Sequence, residues 1–300
     1  MKRSKVRPQP ARCAGGPASH NRETCENNKE TNMNLAGKRV LITGGSSGIG
    51  LATAHALIAK GAVVFITGRR PDVLAAAVEE LRKKGGRAEG IAADVSTAGG
   101  RASTLRAGME KLGGLDILIN NAGGVRAGRL EDTTEDEIRT MIEVDLIAPI
   151  LLTRAALPDL RAAGSSMVVN ITSGIALIGM PFYATYAAAK AGFARFGEAL
   201  RRELKGEGVH VLTVYPGATD TPMMKSSKAG PELGFVKETA TAVAEAIVGG
   251  IEGDAFEVVR GGETRDKMIA LNRENPTAID QRFLDLKPAL AQAVRDHSAL

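Results

Sequence analysis

The stretch Thr43-Gly44-Gly45-Ser46-Ser47-Gly48-Ile49-Gly50 limits what this chain can fold into more than any other. It follows the apolar run 39–42 and precedes a helical pattern over 51–60. A strand, a glycine-rich turn and a helix open a βαβ unit, which requires a parallel neighbouring strand. Glycines at 44, 48 and 50 let the backbone turn tightly and approach a pyrophosphate. The helix N-terminus adds unpaired N–H groups and a positive dipole end. The spacing is G-x-x-x-G-x-G, not G-x-G-x-x-G, so the flanking strand and helix carry the reading as much as the glycines do. Ser46, Ser47 and Ile49 complete the candidate cradle.

The alternation continues along the chain. Strand-like runs fall at 62–67, 88–93, 116–120, 167–172, 209–215 and 256–259. Helical patterns fall at 72–84, 101–112, 134–163, from about 186 to 205, and at 239–252, with Pro149 and Pro158 expected to bend or end the longest. The expected fold is α/β: a Rossmann-type, doubly wound, mostly parallel seven-stranded sheet with helices on both faces. Three regions are expected: a basic, polar tail over 1–32, a Rossmann-fold catalytic domain over 33–262, and a helical extension over 263–300. Met33 stands where a natural start would, just before the first strand. In the extension, Phe283, Leu286, Leu290 and Val294 recur at helical spacing with Pro288 among them. A helix covering the domain or a partner subunit is expected there, ahead of a substrate lid.

Charge and cysteine content exclude several functions. Seven basic and three acidic side chains crowd into residues 1–32, so most of the net charge of +5 belongs to the tail. The remainder is nearly neutral and carries no nucleic-acid footprint. Cys13 and Cys25 are both in the tail, leaving no disulfide for the domain and no zinc-ligand spacing. No run of eighteen apolar residues exists and the N-terminus has no apolar core. The expectation is a cytoplasmic protein with no metal, membrane or nucleic-acid partner.

Candidate chemistry gathers at the strand ends, where open α/β sheets bind ligands. After the second strand come Gly68, Arg69 and Arg70, with no acid for a ribose 2′-hydroxyl but two cations for a 2′-phosphate. Asp94-Val95 follows the third strand, where a carboxylate can accept from an adenine amino group. Asn120-Asn121-Ala122-Gly123 follows the fourth. The fifth ends at Ser173, and thirteen residues later comes Tyr186-Ala-Ala-Ala-Lys190. Four residues apart on a helix, the phenol and ammonium share one face, so the lysine can acidify the tyrosine. Tyr183, the rival phenol, has Ala187 at that offset and is expected to line the pocket. Met223, Met224, Leu233 and Phe235 follow the sixth strand and suit a moderately hydrophobic substrate; no cluster demands an anionic one.

The turn, N-N-A-G, Ser173, Y-x-x-x-K and Pro216-Gly217-Ala218-Thr219-Asp220-Thr221 occur in an order that resembles the single-domain short-chain dehydrogenase/reductase family over about residues 35–262. That resemblance implies an NADP(H)-dependent oxidoreductase acting on a small carbonyl or alcohol substrate and assembling as a homodimer or homotetramer. It implies that Ser173 polarises the substrate oxygen, Tyr186 transfers its proton and Lys190 binds the nicotinamide ribose. It places Pro216, Gly217, Thr219 and Thr221 beside the nicotinamide. One position departs: Asp145 stands where the family commonly has an asparagine that completes a proton relay. A carboxylate has no amide donor there and adds negative charge. The competing reading is a non-catalytic NADP(H)-binding sensor.

Overall fold

The structure, a computed structural model, describes residues 33–83 and 85–300; the expectations for the tail and its cysteines lie outside the described residues. In order come β1 (Arg39–Thr43), α1 (Gly48–Ala59), β2 (Val63–Gly68), α2 (Pro71–Lys83), β3 (Arg87–Ala92), α3 (Ala98–Leu112) and β4 (Ile117–Asn120). Then follow α4 (Glu135–Ile142), α5 (Ala148–Ala162), β5 (Ser166–Ile171), α6 (Ala184–Glu203) and β6 (Val209–Tyr215). The short β7 (Thr219–Asp220) and β8 (Glu238–Thr239), α7 (Ala240–Glu252), β9 (Glu257–Val259), α8 (Gly262–Glu274) and α9 (Pro276–Ala293) complete the chain.

Seven strands form one sheet in the order β3-β2-β1-β4-β5-β6-β9, every pair parallel. The two-residue alternation of the strands explains why both faces are covered. Val40, Ile42, Val64, Ile66, Ile117 and Ile119 face α1, α2 and α7, packing on Leu57, Leu81, Val243 and Ile247. Their neighbours Leu41, Phe65, Leu118 and Val168 face α5 and α6, packing on Leu152, Leu160 and Leu200. Each such side chain contributes roughly 1.5–3 kcal/mol by leaving water. The strand order reverses between β1 and β4, which opens a crevice at their carboxyl ends.

Two local expectations are modified. The long helical region is not broken at Pro149. It runs from α4 through a π segment, Glu143–Ile147, into α5, with the Ala148 N–H bonded to the Glu143 carbonyl. Pro149 has no N–H to give the carbonyl four residues back, and the wider turn absorbs that loss. Pro158 also lies inside α5. Phe256 is not part of β9: the residue is 53% exposed, and its ring lies under the Arg201 guanidinium, 4.5 Å from the ring centre.

The segment after β9 folds as α8 and α9. Leu290 and Val294 bury against Val125, Tyr183 and Leu233 beside the crevice. The last residues return as a bridge: the Ala127 N–H bonds to the His297 carbonyl at 2.9 Å and the Ala299 N–H to Val125 at 2.8 Å.

Candidate active site

The crevice is a cleft of about 1180 Å³, and the glycine-rich turn forms its floor at the β1 end. Helix α1 starts at Gly48, inside the turn, and Ser47 gives it no side-chain cap. Its first N–H groups are therefore left for another acceptor. Gly44 has φ +65°, a conformation that favours glycine, and a Cβ on Gly50 would collide with the Gly44 carbonyl and stand 2.5 Å from Asn121 Nδ2. The turn is clamped to β4. Asn121 Nδ2 donates to the carbonyls of Thr43 and Gly44 at 2.9 and 3.1 Å, and Thr43 Oγ1 accepts from the N–H groups of Asn121 and Ala122, both at 3.0 Å. The Asn121 amide thus shapes the cradle from behind.

The other predicted cofactor residues line the same cleft. Arg69 and Arg70 are exposed at the end of β2, and neither side chain has a hydrogen-bond or ion-pair partner among the described residues. A Cβ on Gly68 would stand 2.5 Å from Ser46 Oγ, so the glycine brings that serine against β2. Asp94 Oδ1 accepts from the N–H and hydroxyl of Ser96, at 2.9 and 2.7 Å. Part of the Asp94 carboxylate is therefore turn chemistry, leaving Oδ2 for a ligand. Val95 is nearly buried beside it. Pro216, Gly217, Thr219 and Thr221 line the far side, and the Thr221 methyl would meet a Cβ on Gly48 at 3.2 Å. An uncapped helix, a cradle that admits no Cβ and two unpaired arginines fit a dinucleotide with an extra phosphate.

Ser173, Tyr186 and Lys190 meet in the middle of this cleft. Ser173 leaves β5 in extended conformation and its Oγ accepts from the Ile175 N–H at 3.3 Å, which orients the hydroxyl. Tyr186 and Lys190 rise from α6 one turn apart, with Nζ 5.8 Å from the phenol ring centre. Lys190 Nζ donates to the Ile171 carbonyl at 3.3 Å and to Asp145 Oδ1 at 3.0 Å. Asp145 comes from the π segment, is 1% exposed, and also accepts from the Gly124 N–H at 3.2 Å. A Cβ on Gly123 would stand 2.5 Å from that carboxylate, so Gly123 admits the pair. Asp145 Oδ2 is buried with no partner among the described residues.

The short chain dehydrogenase family model matches residues 38–232, which include every part of this cluster. The chain belongs to the short-chain dehydrogenase family. Ketoacyl reductase HetN of Nostoc sp. is 33% identical over 83% of this chain and 89% of its own length. The 3-oxoacyl-[acyl-carrier-protein] reductase FabG of Vibrio harveyi is 35% identical over 65% of this chain and 78% of its own. Among solved structures, a short chain dehydrogenase from Burkholderia cenocepacia in complex with NADP superimposes with a TM-score of 0.71 at 34% identity, covering 77% of this chain and 98% of that one.

Within this short-chain dehydrogenase the charges do not act as the Tyr-Lys spacing alone suggests. Burial pushes the Tyr186 phenol above its ordinary value; Lys190 opposes the shift, Asp145 adds to it, and Ser173 eases it slightly. Burial opposes the Lys190 charge, but Asp145 and Tyr186 outweigh it and hold the ammonium firmly protonated. Burial likewise raises Asp145, against the pull of Lys190 and Gly124. The lysine therefore divides its field between a phenol to be acidified and a carboxylate to be neutralised. Asp145→Asn removes a cause that raises Tyr186. The phenol then ionises at lower pH, so the alkaline limb of carbonyl reduction and the rising limb of alcohol oxidation both move to lower pH. Steady-state pH–rate profiles in both directions check this, and unchanged profiles would remove Asp145 from the proton path.

The second phenol of the cleft is Tyr183. It is 4% exposed, burial raises it as well, and among the described residues its hydroxyl makes no well-formed hydrogen bond although Ser227 is adjacent. Its ring packs 6.4 Å from Tyr186 and Phe235 and 6.1 Å from His297, so it lines the cleft as expected. Sequence reasoning missed the Ile171 carbonyl, the Gly124 N–H, His297 and Arg265, all of which reach the site from positions with no motif of their own.

Proposed function

We propose that the protein transfers a hydride between NADP(H) and the carbonyl or secondary alcohol carbon of a small, moderately hydrophobic substrate. The observation that carries this is the meeting of Ser173, Tyr186 and Lys190 at the carboxyl end of β5, in one cleft with the Gly44–Gly50 turn. The turn would hold the pyrophosphate, Arg69 and Arg70 the 2′-phosphate, and Asp94 and Val95 the adenine. Gly123, Pro216, Gly217, Thr219 and Thr221 would border the nicotinamide, with Lys190 on its ribose. When bound, NADPH supplies the hydride.

The chain's own residues handle the oxygen and its proton. Ser173 Oγ, oriented by the Ile175 N–H, donates to the substrate oxygen and polarises the carbonyl. Tyr186 gives its proton to the developing alkoxide. The raised phenol favours reduction, because the acid is fully protonated at neutral pH. Lys190 stabilises the phenolate left behind, and its pairing with Asp145 keeps it charged throughout.

The test is NADPH oxidation by the purified protein against a panel of ketones and aldehydes, with NADH as a control. Arg69→Gln is expected to raise the KM for NADPH by about ten- to a hundredfold and to leave that for NADH nearly unchanged, as loss of a charge-assisted phosphate contact requires. A wild-type preference for NADH would sink the role given to Arg69. NADPH binding without turnover of any panel member would favour a sensor, a reading that the pairing of Lys190 with Asp145 supports. A cytoplasmic homodimer or homotetramer is the assembly we propose, to be read by light scattering of the purified chain. Among the described residues no helix is long and apolar enough to cross a membrane.

A further inference from the structure

The segment after β9 places a cation in the cleft that the chemistry above does not use. Arg265, in the first turn of α8, lines the cleft with its guanidinium against two glycine backbones. A Cβ on Gly174 would collide with its Nη1, and one on Gly217 would stand 3.7 Å from Nη2. Gly174 follows Ser173 directly, and Gly217 lies in the turn after β6. The stem is held in turn by Gly261, where a Cβ would approach Arg265 Cβ to 2.9 Å. The fold thus fixes a guanidinium one residue from the serine that orients the reacting oxygen.

Among the described residues that guanidinium has no ion-pair partner. The nearest carboxylate, Glu238, is already engaged: its Oε2 accepts from Arg260 Nε and Nη2 at 3.0 and 2.8 Å. Among the described residues nothing accepts a hydrogen bond from Arg265, although the side chain is half-buried. Burial pulls its pKa below the ordinary arginine value and Glu238 offsets this only in part. Arginine does not give up its proton in proteins, so the cost of burial is met by an anion or not at all. Lys237, Arg260 and Arg282 line the same cleft, whose carboxylate side chains among the described residues are Glu238 and Asp94.

We infer that Arg265 binds a carboxylate or other oxyanion of the substrate, which is therefore an oxo or hydroxy acid whose charge lies a few bonds from the reacting carbon. The planar fork suits a two-oxygen acceptor, and Met223, Phe235 and Leu286 receive the apolar remainder. This adds an anionic group to the moderately hydrophobic substrate expected from the segment after β6. It rests on the hydride-transfer reading for its reaction, but its binding step does not.

Two measurements test it. First, kcat/KM is compared for size-matched pairs in the full-length protein: an oxo acid against its methyl ester, and an oxoalkyl phosphate against the corresponding neutral alcohol. Wild type is expected to favour one anionic member by at least about thirtyfold, and Arg265→Gln to abolish that ratio mainly through KM, with partial rescue by Arg265→Lys. Which pair shows the preference identifies the oxyanion as carboxylate or phosphate. Equal turnover of acid and ester by wild type, or an unchanged ratio in Arg265→Gln, overturns the proposal. So does a loss of NADPH affinity in Arg265→Gln as large as the loss of acid preference, which would assign the side chain to the cofactor. Second, malonate and inorganic phosphate are titrated calorimetrically into the protein–NADP complex. Binding of at least one by wild type and its loss in Arg265→Gln is expected, and binding by neither overturns the proposal. Anion binding with no turnover of any carbonyl would refute the oxidoreductase reading while leaving the Arg265 site standing.

Discussion

Tyr186→Phe lowers the rate of NADPH-dependent carbonyl reduction by about 10²–10⁴-fold and leaves the NADPH dissociation constant nearly unchanged. The substitution removes one hydroxyl and keeps the ring, which is half-buried against Tyr183 on α6. Packing is retained, so the loss reads the proton alone. No other group replaces it. The Tyr183 hydroxyl is sealed among Phe235 and His297 and is raised strongly by burial. The Ser173 hydroxyl has a proton but a far higher intrinsic pKa than a phenol. The Lys190 ammonium is held by Asp145 and the Ile171 carbonyl. Single-turnover NADPH fluorescence separates the chemical step from binding. A variant within about threefold of wild type in that step would show that the proton comes from elsewhere.

Lys190→Met is expected to destabilise the fold by about 3–5 kcal/mol, a fall in melting temperature on the order of 10 °C. The ammonium and the Asp145 carboxylate are 3.0 Å apart with side chains 5% and 0% exposed. Methionine leaves a buried carboxylate whose Oδ2 has no partner among the described residues and whose Oδ1 keeps only the Gly124 N–H there. The sign of the pH dependence follows. Burial already raises the Asp145 pKa in the folded state, and losing Lys190 removes the chief opposing cause. A carboxyl raised above its unfolded value stabilises the fold only while protonated. That contribution is present at low pH and is lost as pH climbs from the unfolded value through the folded one. The deficit of Lys190→Met is therefore larger at pH 8 than at pH 5. Adding Asp145→Asn should return most of the lost stability, whereas additive losses in the double-mutant cycle would show that the two groups are not coupled.

Much of the molecule was legible in the sequence because it is written in local periods. The two-residue alternation in 39–43, 63–68 and 117–120 says strand, and burial on both faces says a sheet covered on both sides. The turn Gly44–Gly50 and the offset from Tyr186 to Lys190 are also short-range, so their chemistry could be read before any contact was known. Boundaries were less legible. The region 134–163 contains two prolines that argue for a break, and only the i→i+5 bonding at Glu143–Ile147 shows how a helix carries through Pro149. Asn121 and Asp94 look like ligand groups in the chain. In the fold, part of their hydrogen-bonding capacity goes to Thr43, Gly44 and Ser96.

The sequence by itself determined the fold class and the places of the glycine-rich turn and of the Tyr186–Lys190 pair, since each depends on spacing along a strand, a turn or a helix. Only the tertiary structure decided what charge each of those groups experiences. Asp145 reaches Lys190 from another helix, and Arg265 reaches Gly174 from beyond the last strand. Neither approach leaves a period in the chain, because burial and Coulomb interaction depend on distance through space, which the spacing of residues along a backbone does not record.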